Sequence, residues 1–463
     1  MRPWLDRLPP WRWLAVLAPL VAALFYAPLA FGGTTPWTRG VIDWLLVHGF
    51  ALWLCALVLE RRAPRAPLAL VLPLAVLVAL GAAHFWNPRS VYEPLFGALE
   101  PLEGNIPWLP GSADAASTLD ALLHLGALAL GGFALRDALA RSRARWLLLR
   151  VVALVGFFIA FAGIIQKAIG FEGVFWDSTI HWPEARSFAA FRYHANAASF
   201  LNLSWPAALA VWLRTRLDRP GSLAASLDLC VFLLVAAAVF VNTSKAGQVL
   251  GLVGLAFAAW RFRGEWLVAS TNRAGLVVLS AFLAVAGIAF VLPGLYGSLS
   301  NWGDLASGGE SLAGRLLAYR ACLEAVGETG LFGTGAGTFR HVFPYFTVEF
   351  EDNIAGFWQH AHQDWLEGLI EWGWVGFAAW AAIYGGAFRR LLLRIREARL
   401  AHRPELSASA ALVALTVVLL HGLVDFPLQI PALQLLVVLY LALAWSEPAG
   451  PHAPSEGGAK SGF

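Results

Sequence analysis

The chain has 463 residues, 59% of them hydrophobic and 14% charged, with a formal net charge of +3. A soluble domain is nearer about 45–50% apolar and about 25% charged, so this composition excludes an ordinary soluble enzyme and indicates a polytopic membrane protein. Twenty-two tryptophans against one methionine suit interfacial belts better than a soluble core. Cys55, Cys230 and Cys322 are too far apart for a zinc spacing or a disulfide framework.

Apolar runs long enough to cross about 30 Å of hydrocarbon fall near 12–31, 40–59, 66–86, 118–138, 146–168, 195–213, 223–241, 246–261, 275–295, 365–388, 407–425 and 429–446. The prediction is an all-α bundle of about 12 transmembrane helices. The first run continues past the length of a signal peptide's apolar region, and further spans follow, so no cleavable signal peptide is predicted. With the amino terminus on the cytoplasmic side, the arginine-rich turns at 61–65, 136–145, 214–219, 261–273 and 389–403 all fall on that side, and acidic residues collect on the other. The positive-inside rule then places both termini in the cytoplasm. The tail from 448 to 463, rich in Pro, Gly, Ser and Ala, is expected to be disordered.

Two outer segments exceed ordinary connections: one from Asn87 to Ser117, and one from about 297 to 364 that is expected to contain short helices. The domain division is 1–296, 297–364, 365–447 and the tail. Within the second segment, Gly333-Thr334-Gly335-Ala336-Gly337-Thr338 is either a glycine-rich bend or a turn presenting backbone amides to an anion.

Lys167, Arg192, Lys245, Arg315, Arg320, His360 and His362 are basic exceptions on the acidic outer face. Cations where the positive-inside rule disfavours them suggest an anionic ligand at the bilayer surface, such as a lipid phosphate or diphosphate. Four of them also have a plainer explanation. Arg192 and Lys167 can snorkel, Lys245 can cap the preceding helix, and Arg320 can pair with Glu324 one turn later.

The stretch from His360 to Gly376 begins where the long outer segment meets an apolar run. Continued as a helix, it puts His362 on one face with Leu366, Leu369, Gly373 and Gly376, and Asp364, Glu367 and Glu371 opposite. The glycines would admit a close neighbouring helix, and an imidazole at the mouth of such a bundle is a candidate base. His360-x-His362-x-Asp364 has zinc-ligand residue types, but residues two apart on a helix diverge, so no metal is expected. His421 and Asp425 stand one helical turn apart near the end of the eleventh run, where the carboxylate can orient or merely satisfy the ring.

His362-Gln363, nine residues, then Gly373-Trp374-Val375-Gly376 resembles the signature of bacterial O-antigen ligases, in which His is followed by Asn, Ser or Gln and then by Gly-x-x-Gly. The order of Arg192, Asn196-Ala197-Ala198-Ser199-Phe200, Gly314-Arg315, Gly333-x-Gly335-x-Gly337 and His421-x-x-x-Asp425 resembles the ligase and polymerase superfamily from about Arg192 to Pro431. Lys245 stands where many relatives carry Arg, which keeps the charge but not the planar fork. The resemblance implies a metal-independent, cofactor-free, inverting glycosyl transfer at the periplasmic face of the inner membrane. Its donor would be an undecaprenyl-diphosphate-linked glycan and its acceptor lipid A-core or another glycan, with no role for nucleic acid. By resemblance His362 is base or acceptor-positioning residue, and Arg192 and Arg315 grip the diphosphate. Lys245, His360, Gly335 and Gly337 are substrate-binding candidates, with Glu371, Gly373, Gly376, His421 and Asp425 in support. A polymerase of the same superfamily is the nearest alternative. A twelve-span secondary transporter is the alternative of another class, although no internal repeat is evident and charges within the runs are scarce.

Overall fold

The computed structural model describes residues 11–171, 173–174, 187–265, 302, 310–350 and 358–447. Helices α1 (Trp11–Leu29), α2 (Pro36–Leu59), α3 (Leu68–Trp86), α4 (Ala115–Leu139), α5 (Ser142–Ala168), α6 (His194–Asp218), α7 (Leu223–Val241) and α8 (Lys245–Arg261) come first. They are followed by α9 (Glu310–Thr329), the one-turn α10 (Phe339–Val342), the long α11 (Asp364–Leu400), α12 (Leu406–His421) and α13 (Pro431–Trp445). Every predicted apolar run inside the described residues is a helix, and the run at 275–295 lies outside them. Among the described residues six helices, α1 to α5 and α7, are long and apolar enough to cross a membrane, which does not establish the expected twelve spans. The helices in the remaining runs are shorter or more polar.

The polarity of α6 has a packing explanation. Residues His194 to Leu213 are buried almost without a break, so α6 is the central post of the bundle. Its polar side chains bond between and along helices: Asn202 donates to the Gly247 carbonyl at 2.9 Å and accepts from Trp205 at 3.1 Å, while Ser199 meets His421 at 2.6 Å. Such bonds hold helices together where neighbouring lipid is as apolar as the interface. A Cβ on Gly247 would stand 2.4 Å from that of Ala198, so α8 approaches α6 at a distance only glycine permits.

The all-α expectation needs one local correction. Within the segment 87–117, Ser90–Glu93 (β1) and Ala98–Pro101 (β2) form an antiparallel hairpin. Asn87 braces the segment by donating to the carbonyls of Ile106 and Pro110 and accepting from the Ile106 amide.

Several arginines of the basic turns hold one end of the bundle together. Arg62 pairs with Asp137, Arg136 donates to the Trp445 carbonyl at 2.8 Å, and Arg394 donates to that of Leu443 at 2.8 Å. The last carbonyls of α13, which have no partner inside the helix, are thereby satisfied. The first turns of α6 and α11 and the last turn of α12 meet at the opposite end.

Candidate active site

His362 does not continue the helix. It stands at φ +52°, in the left-handed region that side chains with a Cβ seldom adopt, and its carbonyl is fixed by the Tyr319 hydroxyl at 2.8 Å. Gln363 is then the N-cap of α11, with its side-chain oxygen accepting from the Leu366 amide at 2.6 Å. Asn and Ser are among the strongest caps, so a polar residue after the histidine starts a helix there.

The predicted faces therefore change. The Nδ1 of His362 donates to Asp425 Oδ1 at 3.1 Å. Asp425 lies past the end of α12 and also accepts from the Tyr193 hydroxyl at 3.3 Å and the Phe426 amide at 3.0 Å. Asp425 thus orients an imidazole, but the ring is His362 rather than His421, whose Nδ1 turns to Ser199. Arg315, on α9, donates to Tyr193 Oη at 3.2 Å and to the Val424 carbonyl at 3.4 Å. Burial pushes the Asp425 carboxyl up, but the bond from His362 and the charges of His362, His421 and Arg315 outweigh it and hold the group below the usual carboxylate range. Burial and the Asp425 charge push the Tyr193 phenol well above its ordinary value, so it remains a donor. With Nδ1–H committed to a carboxylate, a neutral His362 carries its lone pair on Nε2, the arrangement a general base requires.

A second histidine–carboxylate pair lies across Phe426. His360 Nδ1 meets Glu367 Oε1 at 2.9 Å, and Glu367 Oε2 accepts from the Ala361 amide at 2.8 Å. The Phe426 ring stacks on His360 at 4.6 Å and meets His362 edge-on at 4.7 Å, and the Tyr193 ring stacks on it at 5.7 Å. The potential metal ligands diverge: His360 goes to Glu367, His362 to Asp425, and Asp364 accepts from the Leu428 amide at 2.9 Å.

Burial lowers the His360 pKa, but Glu367, Glu371 and Asp425 together raise it above its ordinary 6.5. A raised folded-state value means that this group's stabilisation is complete below the unfolded value and is lost as pH rises through the folded one. Glu367→Gln is therefore expected to flatten the decline of the thermal midpoint from about pH 6.5 upward. An unchanged decline would show that the His360–Glu367 pair does not contribute.

The glycine turn is committed inside the protein. Gly373 has φ +60° and ψ −174° and breaks α11, which frees the carbonyls of Ile370 and Glu371. The Thr334 and Gly335 amides donate to these two, each at 2.9 Å, and the Val375 amide donates to the Leu331 carbonyl at 3.1 Å. The acidic side chain met by the amide that follows is Glu371, whose Oε1 accepts from Phe339 at 3.0 Å. The close neighbour at Gly373 is thus this turn and not a helix, whereas at Gly376 a Cβ would stand 3.2 Å from Leu80 of α3.

Beside these groups lies a cavity of about 1460 Å³, above the roughly 300–1,000 Å³ of small-molecule pockets. Its α3 wall runs from Leu70 to Trp86, about 24 Å at 1.5 Å per residue. Aliphatic and aromatic residues of α3, α4, α11 and α13 line most of it, and Arg192, Tyr193, His360, Glu367 and Phe426 line its polar part. Tyr193 and Phe426 are the wall shared with the His362 network, since neither His362 nor Arg315 faces the cavity. Arg192 lies outside that network, with its guanidinium 4.9 Å over the Phe31 ring. Lys245 is the first residue of α8, after the Ser244 cap, and Arg320 pairs with Glu324 at 3.3 Å as its spacing predicts. Sequence reasoning misses Tyr193, although a phenol next to Arg192 at the head of a span is a usable signal.

Residues 230–381 match the family model described as O-Antigen ligase. The match takes in Lys245, Arg315, the glycine turn, both histidines and the Gly373 break, while Arg192, His421 and Asp425 lie outside it. No curated protein matches the chain. Residues 230–381 are thus similar to an O-antigen ligase domain, and they stand in a chain with apolar helices long enough to cross a membrane and with a histidine at the head of α11.

Proposed function

We propose that the chain transfers a glycan from an undecaprenyl-diphosphate donor to an acceptor hydroxyl in the manner of an O-antigen ligase. The family is one of ligase- or polymerase-like glycosyl transfer between a lipid-linked glycan and a polysaccharide acceptor. One observation carries the finer assignment: the His362–Asp425 pair shares the Tyr193–Phe426 wall with a long apolar cavity that has Arg192 on its lining. A polyprenyl chain fits the apolar length, and a charged headgroup fits the polar part.

In this mechanism His362 Nε2 takes the acceptor hydroxyl proton as the oxygen attacks the anomeric carbon. The bond from that carbon to the phosphate oxygen breaks, the lipid diphosphate leaves with the electron pair, and attack from the opposite face inverts the centre. Nearby guanidinium groups stabilise the charge on the leaving group, with Lys245 and His360 in secondary roles. No metal or nucleotide sugar is needed. In this reading α9, the glycine turn and α10 lie on the periplasmic side, and both termini are cytoplasmic. Supporting this orientation, arginine-rich turns gather at the bundle end away from His362. A transporter would hold its ligand at mid-membrane, whereas this network sits at helix ends.

The test is incubation of purified protein with a lipid-diphosphate glycan and either lipid A-core or a second donor. Glycan on lipid A-core identifies a ligase, and a lengthened lipid-linked glycan identifies a polymerase of the same superfamily. Transfer to neither acceptor overturns the proposal. Arg315→Lys is expected to lower turnover about tenfold or more despite the kept charge. A single ammonium cannot span Tyr193 Oη and the Val424 carbonyl as the guanidinium does. Wild-type turnover in that variant would show that the fork is dispensable.

A further inference from the structure

Not every guanidinium on the cavity lining has a carboxylate partner. Arg39 is paired with Asp120, His360 with Glu367, and Arg136 reaches Glu447 and the Trp445 carbonyl at the far end. The Asp364 carboxylate is met by the Leu428 amide and Glu371 by that of Phe339. This leaves Arg192 and Arg340, neither of which has a carboxylate within 4.0 Å among the described residues.

Arg340, on α10, is exposed yet held in place. Its Nε donates to His341 Nε2 at 3.1 Å, and its Nη2 stands 3.5 Å from Ser117 Oγ. Because His341 Nε2 accepts, the ring proton is on Nδ1. Burial and the Arg340 charge outweigh Asp114 and keep that imidazole below its ordinary range, so it orients the guanidinium without adding charge. The ring of Tyr92 of β1 lies tilted against the same imidazole at 3.9 Å, and its amide is held by Asp114, which also caps α4 through the Ser117 amide. Three separate segments therefore aim one unneutralised cation.

We propose that Arg340 is a further phosphate-binding residue, seating the lipid diphosphate together with Arg192 while the lipid chain occupies the apolar cavity. Two guanidinium groups without a carboxylate partner can take one phosphate each of a diphosphate, which a monophosphate cannot offer, and Arg presents forked donors to phosphate oxygens. This rests on the donor assigned under Proposed function.

Binding of undecaprenyl diphosphate and of undecaprenyl monophosphate to the purified full chain, without acceptor, separates the two claims. Wild type is expected to prefer the diphosphate. Arg340→Gln should weaken diphosphate binding about tenfold, the scale of one lost charge-assisted hydrogen bond, and affect the monophosphate less. Arg340→Lys should retain most of the preference and serves as the reading if the glutamine variant does not insert, in which case any loss must again fall on the diphosphate. Wild-type affinity and preference in Arg340→Gln, or losses equal for both lipids, overturn the role of Arg340 alone. Absence of diphosphate binding by wild type overturns the donor assignment itself.

Discussion

His362→Ala is expected to abolish glycan transfer, by on the order of 10²- to 10⁴-fold for loss of a general base, while membrane insertion stays intact. Alanine at φ +52° carries about the same backbone strain as histidine, so the substitution reports on the ring. The loss should fall on kcat more than on the KM of the acceptor, because the proton is transferred only on the way to the transition state. Asp425→Asn should also lower kcat, by up to the order of 10⁴-fold, since the amide keeps the size of the side chain but not the charge that fixes the Nδ1–H tautomer. A rise in acceptor KM with kcat intact in His362→Ala would make the imidazole a positioning group. Normal transfer would remove it from the reaction.

Much of the scaffold can be read in the sequence because each span is a long apolar run, and length alone separates these from turns. What cannot be read is decided by particular residues. Periodicity runs unbroken through Gly373, so nothing local announces that α11 breaks there; the cause is the turn from Leu331 to Gly335, forty residues earlier in the chain. The spacing of His421 and Asp425 suggests a pair on one helix, but α12 ends at His421 and the carboxylate is free to face His362. Helical spacing predicts that His360 and His362 diverge, but both precede α11, and each turns instead to its own carboxylate on either side of Phe426. Tyr193 becomes visible only once α6, α9 and the loop after α12 converge, because its partners are Arg315 and Asp425.

Gly373→Ala should be the most destabilising single-methyl change in the site, costing about 3 kcal/mol or more. Its φ +60° and ψ −174° lie in a region almost exclusive to glycine, worth about 1–3 kcal/mol of strain for any other residue. The added Cβ would also stand 2.4 Å from the Leu331 carbonyl oxygen and 2.4 Å from the Phe332 carbonyl carbon. Both are backbone atoms that no rotamer change can move aside, so the turn must withdraw. Its withdrawal strands the Ile370 and Glu371 carbonyls and the Val375 amide, at about 1–3 kcal/mol for each group left unsatisfied. The Phe339 amide would leave the Glu371 carboxylate at the same time, loosening the start of α11 where Glu367 holds His360. Gly327→Ala is the matched control. It lies exposed on α9 with nothing within 4 Å of an added Cβ, and it should be neutral or stabilising by up to about 1 kcal/mol. Thermal inactivation of both variants in lipid, scored by folded protein and by transfer, checks the contrast: equal midpoints would mean that the break in α11 is an accommodation the protein can forgo, and a lower midpoint for Gly373→Ala with transfer lost in proportion would tie the break to the geometry of the site.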